Sequence, residues 1–154
     1  MKIVLTEGCI CDSLMIDDKG AREYSNDELK VIIKKILTLE KSKFNLTKLL
    51  GQVVEIFDDE WYTDNIKVNT VKYGLIELES FDIDVPNITI NGNNIIDFTE
   101  DEIRDAIINI VSFDNDNANL IWTLRGLRQN YGEYKFCYHC DECGDNVAEY
   151  KLKI

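Results

Sequence analysis

Laid on itself with a shift of 74 residues, this chain matches itself, and nothing else in it limits the fold as much. Ser25-Asn-Asp-Glu-Leu-Lys falls on Thr99-Glu-Asp-Glu-Ile-Arg. Ile16 falls on Ile90, Ile33 on Ile107, Ile36 on Ile110, Leu46 on Leu120 and Leu50 on Leu124. No gap is needed from residue 14 to residue 62. The matched positions are the ones burial would select, so the pattern reads as a tandem repeat. Copy one covers residues 1–74 and copy two residues 75–154. A chain of this length holds one ordinary domain or two very small ones, so the copies are expected to pack as one compact unit.

Each copy carries the same local signals. Ser25 with Glu28, and Thr99 with Glu102, are capping boxes that start a helix. Behind the first box, Leu29, Ile32, Ile33, Ile36 and Leu37 recur at helical spacing; behind the second, Ile103, Ala106, Ile107, Ile110 and Val111 do the same. A second helix follows in each copy, marked by Leu46, Leu49, Leu50, Val53 and Phe57 and by Leu120, Leu124, Leu127 and Tyr131. The short polar connectors at 41–44 and 115–118 suit helical hairpins. A β-hairpin is expected before each helix pair. One runs through 13–16, turns at 17–20 and returns through 21–24; the other runs through 87–90, turns at Asn91-Gly92 and returns through 94–98. Strand-like runs follow the helices at 60–62, 66–68, 134–138 and 147–152. Residues 73–80 would serve both as the last strand of copy one and as the first of copy two. The expected fold class is α+β: two fused pseudo-symmetric copies of a strand–β-hairpin–two-helix–strand unit.

The five cysteines lie at the two ends of the chain, Cys9 and Cys11 as C-x-C and Cys137, Cys140 and Cys143 as C-x-x-C-x-x-C. An odd count and no visible export signal argue for a cytoplasmic chain with a metal site, not a disulfide framework. Cys140-Asp-Glu-Cys143-Gly144 resembles a zinc knuckle, a turn whose backbone N–H groups face thiolates while glycine permits the bend. A tetrahedral Zn²⁺ asks for two more soft donors. Cys9 and Cys11, two apart on an extended strand, point to one side. The expected cofactor is therefore one structural Zn²⁺ on Cys9, Cys11, Cys140 and Cys143, with Cys137 or His139 as alternates. Free buried cysteines and a redox pair are the competing readings. At the 74-residue shift, Cys140 and Cys143 match Ile66 and Asn69, and Cys9 and Cys11 match Ile83 and Val85. Each copy would then keep half a site, with the N- and C-terminal strands side by side and joined by the zinc.

Acids outnumber bases by 29 to 17, which gives a net charge of −12 and opposes direct binding to nucleic-acid phosphates. Copy one is near neutral at −2; copy two carries −10. Copy two's acids include Asp97, Glu100, Asp101, Glu102, Asp105, Asp114 and Asp116. Acids in a first helical turn also complement the helix dipole, and a solvated acidic face is the plain alternative to a docking surface. Ile108, Ile121 and Trp122 stand where copy one has Lys34, Thr47 and Lys48. They either pack the copies together or form a homodimer or partner interface flanked by Arg125 and Arg128.

No phosphate loop, dinucleotide fingerprint, nucleophile elbow or H-E-x-x-H motif is present, and His139 is the single histidine. No apolar stretch approaches the roughly 20 residues of a membrane span. The expected function is a non-enzymatic, zinc-stabilised acidic interaction protein that binds, and by binding inhibits, a basic nucleic-acid-binding protein. Small acidic inhibitors made by phages and mobile elements, DNA mimics among them, work this way in the host cytoplasm. The alternative is a small zinc-containing nucleic-acid-binding accessory using the lysine flank of copy one: Lys30, Lys34, Lys35, Lys41, Lys43 and Lys48.

Overall fold

Both capping boxes form, and they set where the first helix of each half begins. A computed structural model describes residues 2–7, 14–17, 19–39, 42–58, 66–80, 87–113, 116–131, 133–139, 141 and 146–153; at 2–7, 80, 128–131, 133–139 and 146–153 it describes the backbone alone. The fold is α+β. Its helices among the described residues are α1 (Asn26–Leu37), α2 (Lys43–Phe57), α3 (Glu100–Ser112) and α4 (Asn117–Tyr131). At α1, Ser25 Oγ accepts the Glu28 N–H at 3.1 Å, and the Glu28 carboxylate accepts the Ser25 N–H at 3.0 Å. Thr99 and Glu102 repeat the exchange at α3 at 3.2 and 3.1 Å. Each box satisfies two backbone donors that a bare helix end would leave open, a contribution of about 1 kcal/mol.

The strands are β1 (Lys2–Glu7), β2 (Met15–Ile16), β3 (Lys19–Gly20), β4 (Ile66–Thr70), β5 (Gly74–Ser80), β6 (Asn87–Ile90), β7 (Asn93–Asn94), β8 (Glu133–His139) and β9 (Asn146–Lys153). They form two antiparallel sheets, one ordered β3-β2-β1-β9-β8 and the other β4-β5-β6-β7. The strand expected over 73–80 is β5, and it pairs with both β4 and β6. At the other sheet β9 pairs with β8 and also with β1, which in turn pairs with β2. The hairpin turn between β6 and β7 takes the left-handed backbone that Asn-Gly tolerates, with φ of 49° at Asn91 and 84° at Gly92; Asp17 has the same φ of 49°.

Two expectations need correction. The hairpins return through only two residues each, and the chain then coils into 3₁₀ turns at Ala21–Glu23 and Ile95–Asp97. Side chains stabilise these turns: the Glu23 carboxylate accepts the Gly20 N–H at 2.8 Å, and Asn94 Oδ1 accepts the Ile96 N–H at 3.0 Å. The coil buries Ala21 and Ile95, which a longer strand would have carried out along the edge. The second correction concerns the helical hairpins. Within the terminal unit α1 packs with α4, and within the central unit α2 packs with α3, so each helix has its unit's partner across a long stretch of chain and not across a short connector. The run expected at 60–62 lies outside the described residues.

The chain accordingly divides into two compact units that cut across the repeat boundary at residue 74. The terminal unit comprises Met1–Leu39 and Asp116–Ile154; the central unit is Glu40–Asn115. In the terminal unit, Leu29, Ile33, Ile36 and Leu37 of α1, Leu120, Leu124 and Leu127 of α4, and Leu14 and Ile16 are buried. In the central unit, the buried set includes Leu46, Leu50 and Val53 of α2, Ile103, Ile107 and Val111 of α3, and Ile76, Leu78, Ile88 and Ile90 of the sheet. Each such aliphatic side chain contributes about 1.5–3 kcal/mol by leaving water.

Candidate functional site

The register of the terminal sheet bears directly on the cysteines. β1 runs antiparallel along β9 from Lys2 opposite Lys153 to Glu7 opposite Ala148. β8 pairs with β9 as far as His139 opposite Asn146. The sequence leaving β1 after Glu7 is Gly8-Cys9-Ile10-Cys11, and the residues joining β8 to β9 are 140–145. The chain therefore leaves β1 and turns between β8 and β9 at one end of one sheet. Neighbouring strands stand about 4.8 Å apart, a spacing that thiolates from adjacent strands can bridge through one tetrahedral ion. Cys9, Cys11, Cys140 and Cys143 lie outside the described residues. Cys137 and His139 belong to β8; Cys137 sits where the β8–β9 register shifts between Phe136 and Tyr138, and His139 forms the last pair before the turn. Among the described residues, no group of three His, Cys, Asp or Glu side chains is arranged to hold a metal.

The acids expected to form one surface divide between the units. Asp97, Glu100, Asp101 and Glu102 are exposed in the 3₁₀ turn and first turn of α3, in the central unit. The Glu102 carboxylate serves the capping box, and Asp101 pairs with Arg104 at 2.7 Å. Asp105 is occupied within its own unit. Tyr73 Oη donates to Asp105 Oδ2 at 2.7 Å, and Lys72 Nζ pairs with the same oxygen. The bond from Lys72, then the one from Tyr73, holds the Asp105 carboxyl below its ordinary range. Burial, then the bond to Asp105, pushes the Tyr73 hydroxyl well above its usual value. Asp116 lies in the terminal unit and caps α4 by accepting the Ala118 N–H at 3.0 Å. Asp114 lies outside the described residues.

Ile108 is half-buried on α3, in the central unit, whereas Ile121 and Trp122 lie on α4 in the terminal unit. Ile121 is buried at 8% exposure. Trp122 is 56% exposed and carries the Arg125 guanidinium 4.7 Å from its ring centre. The lysine flank divides too: Lys30, Lys34 and Lys35 are on α1 and Lys43 and Lys48 on α2, with Lys41 outside the described residues.

Two features had no signal in the self-match of the sequence. Lys72 and Tyr73 anchor Asp105, but Val31 stands 74 residues earlier, so the sequence pattern did not announce the contact. The other is a cavity of about 310 Å³ in the terminal unit, lined by Leu14, Ala21, Ala118 and Ile121 and by Arg22, Asn117, Trp122 and Arg125. No helix among the described residues is long and apolar enough to cross a membrane. Comparison with protein-family models, with curated proteins and with solved structures gives no match.

Proposed function

We propose that this chain is a non-enzymatic interaction protein whose acidic central unit docks on a basic surface of another protein, in the manner of phage and mobile-element inhibitors. The observation that carries this reading is where the charge collects. The central unit holds 16 acids against 6 bases and the terminal unit 13 against 11, so −10 of the net −12 falls on one compact body. A body so charged steers toward basic partners over about 10 Å at 0.1 M salt. Asp97, Glu100 and Asp101 are its exposed acids at the head of α3.

The test is capture of a partner from host lysate by wild type and by D97N/E100Q/D101N, which spares the capping carboxylate of Glu102. A basic protein held by wild type, released by salt and retained at least about tenfold less by the triple variant supports the reading. Capture that ignores both salt and the three substitutions refutes it.

The tandem duplication belongs to the same proposal. At a shift of 74 residues the start of α1 falls on that of α3, and both bounds recur for α2 with α4, β3 with β7, and the two 3₁₀ turns. The first strands are in step at 71 instead, because Leu5 opposes Ile16 while Ile76 opposes Ile90. Cys9 and Cys11 then correspond to Ser80 and Asp82, not to Ile83 and Val85. Likewise, the counterpart of the 140–145 connection is the short turn at 71–73 between β4 and β5. That turn is tied to α3 through Lys72, Tyr73 and Asp105. In the terminal unit, Val31 replaces the anchoring acid, and we propose that one Zn²⁺ on Cys9, Cys11, Cys140 and Cys143 supplies the tie. The metal would be structural, fixing the two chain ends to one sheet.

A further inference from the structure

The cavity of the terminal unit follows from side-chain size and charge at matched positions. Where this unit has Ala21 and Ala118, the central unit has Ile95, which is buried, and Phe44. Where it has Arg22, the central unit has Ile96. Alanine at 21 withholds the volume that the buried Ile95 supplies in the central unit, and an opening of about 310 Å³ lies between the hairpin and the first turns of α4. Its floor is apolar: Leu14, Ala21, Ala118 and Ile121. Its rim brings together two guanidinium groups, Arg22 and Arg125, with the indole of Trp122 and the amide of Asn117.

Among the described residues no carboxylate lines this cavity, in a chain whose net charge is −12. The acids nearest in sequence are engaged by backbone: Glu23 accepts the Gly20 N–H, and Asp116 accepts the N–H of the lining residue Ala118. The rim therefore presents positive charge over an apolar floor. Arg125 is stacked on Trp122, which holds the indole and the cation in a fixed relation. Asn117 is likewise held, donating to Asn26 Oδ1 at 3.2 Å. Guanidinium groups favour planar or tetrahedral oxyanions, and an indole favours a flat ring. The volume lies at the small end of the range of about 300–1,000 Å³ typical of ligand sites, which excludes dinucleotides and oligomers.

We propose that this cavity binds a small organic anion made of one flat ring and one anionic group, carboxylate or phosphate. The ring lies on the alanine floor beside Trp122, and the anionic group meets Arg22 and Arg125. This site is independent of the acidic docking surface, since it belongs to the other unit.

Trp122 reports on its own site. The chain has two tryptophans, and W61F leaves Trp122 as the sole tryptophan, read by excitation beyond the tyrosine band. The probes are benzoate and phenyl phosphate, with benzyl alcohol as the neutral ring and inorganic phosphate as the ringless anion. Saturable change of Trp122 emission is expected with at least one of the first two, at about 0.1–1 mM for so few atoms. The tighter of the two identifies the head group. The controls should bind at least about tenfold more weakly, and R22Q should weaken the tighter probe about tenfold. A118F, which installs the side chain that the central unit carries at Phe44, should abolish binding. If A118F does not fold by circular dichroism, R22Q decides the matter, because Arg22 is exposed. No saturation by about 10 mM, equal response to benzyl alcohol or to inorganic phosphate, or indifference to R22Q overturns the proposal.

Discussion

Replacing Tyr73 by Phe and Asp105 by Asn, singly and together, tests whether Asp105 is an internal anchor or an open docking acid. The Tyr73 hydroxyl donates to Asp105 at 2.7 Å, and Lys72 completes the cluster. A hydrogen bond to a charged group is worth about 1.5–3 kcal/mol when buried. The Asp105 side chain is 42% exposed, so solvent screening reduces that to about 1 kcal/mol. Lys72, 61% exposed, adds about 0.2–1 kcal/mol. Y73F should therefore cost about 1 kcal/mol, D105N about 1.5, and the pair should show a coupling energy near 1 kcal/mol in urea unfolding followed by circular dichroism. The sign with pH follows from the lowered Asp105 carboxyl. Its contribution is complete above the unfolded carboxylate value of about 3.9 and disappears as pH falls through the lower folded value. The wild type should thus converge with D105N in acid. Tyr73, raised by burial and by Asp105, contributes fully below the unfolded tyrosine value of about 10 and loses that contribution above it. A coupling within about 0.3 kcal/mol of zero, or a wild-type advantage that persists unchanged in acid, would show that Asp105 is not an anchor.

Protein purified without added metal should contain about one zinc per chain by elemental analysis, and C140S/C143S should contain none while exchanging backbone amides faster at 2–7 and 133–153. Full zinc in that variant would place the metal elsewhere. G74A should destabilise by about 1–2 kcal/mol, because Gly74 has φ of 70° and an added Cβ would meet Asn91 Oδ1 at 3.0 Å. G92A, with φ of 84° and open space around it, should cost less, and equal losses in urea would contradict the contact. I33A and I107A remove matched side chains exposed by 0% and 1%, so each should lose about 2–5 kcal/mol; a loss below about 1 at either position would remove it from the core.

Much of the local structure was legible from residues alone. Helix starts were written in Ser25 with Glu28 and Thr99 with Glu102, because a cap is a contact across three residues and needs nothing distant. The buried stripes, the Asn91-Gly92 turn and the strand at 73–80 were legible for the same reason: periodicity and turn chemistry act within a few positions. The 3₁₀ turns read as return strands in the sequence, because Glu23 and Asn94 satisfy backbone donors in a way that alternating polarity does not reveal.

Sequence by itself determined the helix starts, the buried stripes, the Asn91-Gly92 turn and the clustering of the five cysteines at 9–11 and 137–143. Only tertiary structure decided which elements belong together. By sequence alone the aliphatic stripe of α2 suits α1 as well as α3, because the stripes of α1 and α3 match at Ile33 with Ile107 and Ile36 with Ile110. Two helices with like stripes offer two pairings of similar hydrophobic content, and apolar attraction, having no direction, does not choose between them. Topology pairs α1 with α4 and α2 with α3, and that partition gathers the acid excess on the central unit. It also sets two alanines beside two arginines in the terminal one. Both consequences depend on where the units divide and on which elements each holds, and those are set by long-range packing.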